Sequence, residues 1–265
     1  MVGEVSGGRT PYPTAVPDAP RTSKGSSRWE LRRFRELDST NRYLLDEARR
    51  GARGGLVAVA DHQTAGRGRL DRRWEAPPGS SLLVSVLIRP AREADAHRVV
   101  MAAALALADA VEAVAGFAPA LKWPNDLVVG DLVVGDRKLA GLLAERDADA
   151  LVVGAGCNVE WDSFPAHLAG TATACNLEAG RSVDRDALLD AFLAGFGDAL
   201  DAPALVPARY RARLATIGRR VHVDRPHDVL LGEAVDVTDD GALVVRRDDG
   251  TEEIVVVGDV VHLRT

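Results

Sequence analysis

The chain has 265 residues, 46% of them hydrophobic and 27% charged, the make-up of a globular protein with one sizeable core or one large and one small domain. A net charge of -6 counts against broad binding to nucleic acid or a membrane surface, because those partners select a basic excess. No apolar run is long enough to span a bilayer, and the N-terminal stretch lacks the charged start, apolar middle and cleavage site of a secretion signal, so a cytoplasmic protein is expected.

Residues 1–28 are rich in Gly, Pro, Ser and Thr and carry too few large apolar groups to offset the entropy of ordering, so a disordered tail is expected. That leaves no room for a helix-turn-helix domain ahead of the core, and no DNA partner is expected. Residues 29–37 alternate weakly, as a strand. Tyr43, Leu44, Leu45 and Ala48 then follow at helical spacing, behind Ser39 and Thr40 as N-cap candidates and ahead of a stop at Arg49-Arg50-Gly51. Ser39, Thr40 and Asn41 read first as caps, although hydroxyls and free amides at a helix start also bind polar ligand groups.

Two apolar runs, 56–60 and 80–88, read as strands, and the stretch between them is the most unusual in the chain. From Gln63 to Trp74 it holds Arg67, Arg69, Arg72 and Arg73, with Gly66 and Gly68 placed so that the backbone can approach a ligand. Guanidinium forks suit carboxylate or phosphate, and crowded together they repel one another unless an anion arrives. With the chain acidic overall, this cluster is local chemistry.

Residues 94–116 form an Ala-rich helical pattern with an apolar face through Val99, Ala103, Leu107 and Val111. At Lys122-Trp123-Pro124-Asn125-Asp126 a strand end is broken by proline, which places Lys122 and Asn125 to project a cation and an amide, although surface lysine and turn asparagine are the commoner fates of those types. A tandem duplicate follows, Leu127-Val128-Val129-Gly130-Asp131 and then Leu132-Val133-Val134-Gly135-Asp136, in which either Gly-Asp can turn a hairpin. Strands are expected at 137–145, with Lys138 and Gly141, and at 151–159, with Gly154, Gly156 and Asn158. The paired Gly lacks the third glycine and following helix of a dinucleotide fingerprint.

Residues 160–178 show no period and read as a long loop, of the kind that is functional or mobile. Helices are expected at 186–200 and 208–214. From Gly218 short β-rich pieces with Asp-Asp-Gly turns suggest a small barrel, docked because its own core is marginal. Cys157 and Cys175 stand in no Cys-x-x-Cys or Cys/His pattern and read as reduced, buried thiols, and the six His show no metal-ligand spacing.

Taken together, Ser39-Thr40-Asn41, the run from Gln63 to Arg69, Lys122 to Asp126, Arg137 to Gly141 and Gly154 to Asn158 resemble, in order, the motifs of biotin protein ligases. The resemblance implies an α+β fold: a mixed, largely antiparallel sheet with helices, of the class II synthetase-like biotin–lipoate ligase core at 29–215, and an SH3-like β-barrel at 216–265. It implies the monofunctional form, monomer or homodimer, with biotin and ATP as substrates and Mg2+ as cofactor. The reaction would make biotinyl-5′-adenylate and pass the biotinyl group to a lysine of the biotin carboxyl carrier domain of an acyl-CoA carboxylase. Arg69, Lys122 and Lys138 would carry the chemistry.

Ser39, Thr40, Asn41 and Gln63 would then hold the ureido end of biotin, and Lys138 its carboxylate. Gly141, Gly154 and Gly156 would admit the ring and chain. Gly66, Arg67, Gly68 and Arg69 would close over the adenylate, while Trp74, Lys122, Asn125 and Asn158 would serve the nucleotide. Two departures stand out: Leu70-Asp71 replaces a further glycine at the loop's far end, and the duplicate lengthens the stretch before Lys138 by five residues. A lipoate-type ligase and a non-catalytic biotin- or carrier-binding protein are the other readings.

Overall fold

A computed structural model of the chain describes residues 28–70, 72–89, 96–130, 135–225, 228–256 and 258–263. The tail expected at 1–28 thus lies outside the described residues except for Arg28, which donates to the Gly197 carbonyl at 2.9 Å and pairs with Asp201 at 2.7 Å.

Seven strands form the main sheet: β1 (Glu30–Leu37), β2 (Leu56–Gln63), β3 (Ser81–Ile88), β4 (Ala120–Lys122), β5 (Asp126–Val129), β6 (Arg137–Asp147) and β7 (Ala150–Asn158). Their order is β1-β2-β3-β7-β6-β5-β4, with β1 and β2 parallel and every other pair antiparallel. The parallel pair needs a crossover, supplied by helix α1 (Thr40–Arg49). Alternation along β2 sends Ala58 and Ala60 to the side where α1 packs with Tyr43, Leu44 and Ala48, and Val57 and Val59 to the other.

On that other side lie α2 (Ala96–Ala115) and α4 (Arg185–Asp201). The small residues of α2 let α4 come close: a Cβ added at Gly195 would stand 3.6 Å from the Ala106 Cβ. Asp184 caps α4, accepting from the amides of Asp186 at 2.8 Å and Ala187 at 3.2 Å. Two short helices, α3 (Cys175–Ala179) and α5 (Val206–Arg213), complete this layer.

Beyond it β8 (Arg220–Asp224), β9 (Val229–Val237), β10 (Leu243–Arg246), β11 (Glu252–Val255) and β12 (Asp259–His262) make an antiparallel sheet in the order β11-β10-β9-β8-β12. Its inward residues, among them Val221, Leu230, Leu243 and Val245, join the same apolar core as α2 and α4. The mixed α+β fold expected from the sequence is the one observed.

Two expectations change in detail. The 160–178 stretch ends in α3, and its middle bridges to β6 through Lys138. The first copy of the duplicate is mostly strand, with Leu127 and Val128 buried in β5. Both Gly-Asp pairs fall in the connection between β5 and β6, of which residues 131–134 lie outside the described residues, as do 94–95 at the start of the helical pattern. Cys157 and Cys175 are free, buried thiols, and the neighbouring Cys175 together with burial pushes the Cys157 thiol up.

Candidate functional site

The start of α1, the end of β2, the arginine-rich loop after it and the middles of β6 and β7 surround one cavity of about 130 Å³. Each wall has a local cause. Ser39 has the extended backbone of an N-cap, φ -159 and ψ 132, yet its side chain makes no capping bond. Gln63 performs that task from β2, its Oε1 accepting from the Thr40 amide at 2.8 Å and the Thr40 hydroxyl at 3.1 Å. Reading Ser39, Thr40 and Asn41 as caps alone therefore fails. All three are buried polar residues lining the cavity.

Behind them the hydrogen bonds continue inward. The Ser85 hydroxyl lies 2.7 Å from Thr40 Oγ1 and 2.6 Å from Asn41 Oδ1, so its single proton is shared between two acceptors. Asn41 Nδ2 donates to the Leu143 carbonyl at 3.2 Å and to Glu145 Oε2 at 2.9 Å. This amide crosses the sheet directly over Gly154, where a Cβ would run into Asn41 Oδ1 and stand 3.1 Å from Ser85 Oγ. Gly154 makes room for Asn41.

The loop folds back on itself as a small hairpin. Gly68 N donates to the Arg72 carbonyl at 2.7 Å, Trp74 N to the Gly66 carbonyl at 3.1 Å, and Arg67 and Arg73 form an antiparallel bridge. Leu70, where the further glycine is missing, takes a left-handed φ of 52°, a position that favours glycine. The expectation that the arginines merely repel until an anion arrives is corrected, because the protein supplies acceptors itself. Arg67 Nη1 pairs with Glu145 Oε1 at 2.6 Å, and Arg69 donates to Asn125 Oδ1 and to the Gly258 carbonyl, each at 3.1 Å.

Lys138 is fixed from both sides of its backbone, its amide donating to the Thr171 carbonyl at 2.8 Å and its carbonyl accepting from Thr173 N at 2.9 Å. Its ammonium lies 2.8 Å from Asp126 Oδ1 and 5.7 Å from the centroid of the Trp74 ring. The indole rests on β7 and β6 at two glycines: a Cβ at Gly156 would be 2.6 Å from Trp74 Cε2, and one at Gly141 3.3 Å from Cζ3. Trp74 Nε1 is buried without a hydrogen-bond partner. The loop and the indole are part of the wall of this cavity of about 130 Å³, which is smaller than the roughly 300–1,000 Å³ usual for small-molecule sites.

Of the residues singled out in the sequence, Ser39, Thr40, Asn41, Gln63, Arg67, Gly68, Arg69, Trp74, Asn125, Lys138, Gly141, Gly154 and Gly156 line this cavity. Gly66, Lys122 and Asn158 are outside its lining. A Cβ at Gly66 would run into the Trp74 carbonyl, so this glycine shapes the loop. Lys122 pairs across strands with Asp126, and its charge acts on Asp136. Asn158 is buried, accepting from Ser81 at 3.4 Å and donating to the Thr173 carbonyl at 3.0 Å, beside the clamp on Lys138.

Arg72 and Arg73, read in the sequence as members of the arginine cluster but given no site role, also line the cavity; sequence reasoning missed Asp126, the apolar wall of Val84, Leu142, Leu143 and Ala155, and the supporting Ser85 and Glu145. The signal for Asp126 was its place in the Lys122 to Asp126 motif; nothing in the sequence pointed to Glu145. Chemically the cavity joins a neutral hydroxyl and amide end to a cationic mouth. That suits an elongated ligand with a polar head and an anionic tail.

Residues 34–162 match the Biotin/lipoate A/B protein ligase family, and residues 216–263 match the Biotin protein ligase C terminal domain. The chain is similar to the biotin–[acetyl-CoA-carboxylase] ligase of Mycobacterium tuberculosis, 37% identical over 87% of this chain and 90% of the relative. A protein of the same name from Paracoccus denitrificans is 31% identical over 82% of this chain and 94% of its own length. Among solved structures, the biotin protein ligase of Aquifex aeolicus in complex with biotin and ATP superposes with a TM-score of 0.78 at 25% identity, covering 89% of this chain and 99% of that one.

Proposed function

We infer the activity from membership, since this chain belongs to the biotin protein ligases of the biotin/lipoate A/B protein ligase family. It is an ATP-dependent ligase of biotin to protein. The biotin carboxylate attacks the α-phosphate of ATP and displaces pyrophosphate, leaving biotinyl-5′-adenylate. The ε-amine of a lysine on a biotin carboxyl carrier domain then attacks the anhydride carbonyl, and AMP departs as the amide forms and the amine loses its proton. Residues 29–215 would carry this chemistry, with 216–265 as the docked companion.

One observation carries the reading: the Lys138 ammonium holds a carboxylate, that of Asp126, at 2.8 Å in a cavity whose far end is made by Thr40 and Gln63. A ligand carboxylate would take the place of Asp126 on Lys138, with its neutral head at the hydroxyl and amide end. Arg67 and Arg69 then stand where charge accumulates as two anions are brought together, and stabilising that charge while holding the reactants in contact accounts for the acceleration. The indole of Trp74 offers a flat apolar face for the adenine.

Among the described residues no group of three or more His, Cys, Asp or Glu is placed to hold a metal. Asp126 Oδ1 faces the Lys138 ammonium and Asn125 Oδ1 accepts from Arg69, so these two oxygens would hold Mg2+ once the ligand has taken over both cations, and the ion would keep most of its shell for phosphate and water and offset phosphate charge.

The test is pyrophosphate exchange with biotin and with lipoate as the acid, followed by transfer to a carrier domain. Exchange driven by biotin alone, with label arriving on the carrier lysine, is expected. Exchange driven by lipoate alone would move the protein to the sister activity, and biotin binding without exchange would make it a non-catalytic binder.

A further inference from the structure

We propose that Glu145 is a positioning residue for biotin, joining the closed arginine loop to the floor of the pocket. The proposal rests on the ligase reading and adds a part to that site. Glu145 stands on β6, four residues beyond Gly141, and its side chain is 18% exposed. Its two oxygens face different structures: Oε2 accepts from Asn41 Nδ2 at 2.9 Å, and Oε1 pairs with Arg67 Nη1 at 2.6 Å.

Asn41 cannot adjust. It is 4% exposed, its oxygen takes the Ser85 hydroxyl at 2.6 Å, its nitrogen also donates to Leu143 at 3.2 Å, and its amide is threaded over Gly154. A carboxylate hydrogen-bonded to so fixed an amide is itself fixed, and it presents its second oxygen outward at one place. Arg67 has the opposite character: it sits on the loop hairpin with its side chain 48% exposed. Glu145 therefore lends the order of the floor to the loop. It also sets one negative charge against Arg67 in a neighbourhood that holds Arg69, Arg72, Arg73 and Lys138. Closing the loop with an unpaired Arg67 would press like charges together, and Glu145 offsets that repulsion before any substrate arrives.

Glu145 thus acts through Arg67, as preorganisation that lowers the cost of ordering on binding. Its loss should appear as weaker retention of biotin, with the chemical step largely spared once biotin saturates.

The experiment is pyrophosphate exchange over a biotin series with wild type, Glu145→Gln, Arg67→Ala and the double variant. The expected result for Glu145→Gln is a biotin KM raised about tenfold, the lower end for a charged hydrogen bond, with the rate at saturating biotin within about twofold of wild type. Adding Glu145→Gln to Arg67→Ala should raise KM no further, because the two belong to one unit. An unchanged KM in Glu145→Gln, or fully additive effects in the double variant, overturns the proposal. Where Glu145→Gln proves unfolded by circular dichroism, Glu145→Asp replaces it: the charge is kept but cannot reach both partners, and a wild-type KM then overturns the idea equally. Absence of biotin-dependent exchange in wild type would overturn the ligase reading, a result distinct from either of these.

Discussion

Lys138 and Arg69 show how much of this site depends on single side chains held by their surroundings. The backbone of Lys138 is bridged to Thr171 and Thr173 whatever its side chain is, so Lys138→Ala should fold normally. It leaves the Asp126 carboxylate without its cation and removes the expected anchor for the biotin carboxylate. Losing a charged hydrogen bond costs about 1.5–3 kcal/mol, so pyrophosphate exchange should fall by at least one to two orders of magnitude. Unaltered exchange would remove Lys138 from the site. Arg69 is different, because it reaches Asn125 on one side and the Gly258 carbonyl on the other. A guanidinium stretched between the turn after β4 and the C-terminal sheet is placed to keep the adenylate in. Arg69→Gly should speed escape of the adenylate more than it slows its formation, and serum albumin incubated with the variant, biotin and MgATP should gain biotin on its lysines. Equal, negligible labelling of albumin by variant and wild type would show that Arg69 does not retain the intermediate.

Among elements, the duplicated Leu-Val-Val-Gly-Asp is the most informative. Removing 127–131 or 132–136 yields the same sequence, so either deletion keeps a full strand for β5 and an Asp before Arg137. Val129 already pairs with Arg137, and the deletion leaves Gly-Asp between them, the glycine-first two-residue loop of a tight hairpin. The shortened protein should therefore fold, with exchange activity within about twofold, since cutting the connection between β5 and β6 from residues 130–136 to a Gly-Asp pair alters closure entropy by only about 1 kcal/mol, in the favourable direction. A well-folded deletion unable to bind ATP would place the insertion in the nucleotide site. The arginine loop teaches the converse: its charges suggested a segment waiting for an anion, whereas Glu145, Asn125 and Gly258 already receive them. Those acceptors lie 56 to 189 residues away along the chain, beyond the reach of local pattern.

For the molecule as a whole, the seam between the two sheets matters most. The last residue of the duplicate, Asp136, is buried there against His262 at 2.6 Å and Arg219 at 3.2 Å, and the Trp123 indole donates to the Gly241 carbonyl at 2.8 Å. The hydrogen bond from His262, opposed by burial and aided by the charges of His262, Arg219 and Lys122, holds the Asp136 carboxyl below its usual 3.8. The sign follows directly: a folded value below the unfolded one contributes stability that is present above 3.8 and is lost as pH falls through the folded value. Asp136→Asn should therefore lower stability at neutral pH, by an amount between about 1 kcal/mol for an exposed pair and about 3–5 for a buried one. The gap from wild type should close in acid below 3.8, and urea melts at neutral and acid pH read this directly. A gap that stays constant across that range would mean the carboxylate's charge plays no part in the docking.

The sequence by itself determined the elements and the order of the motifs, because periodicity and turn residues act over a few residues and survive without tertiary context. It also marked most of the cavity: hydroxyls before a helix, arginines between glycines and a lysine opening a strand are chemically conspicuous wherever the chain goes. Only the tertiary structure decided what those groups do to one another. That Ser39 caps nothing, that Gly154 is bare for the sake of Asn41, that Asp126 rather than solvent meets Lys138, and that Lys122 and Asn158 lie outside the cavity lining depend on how the strands and α1 are set against one another. Register pairs residues by distance in space, and the hydrogen bonds that fix it join partners separated along the chain by lengths that carry no repeating signal.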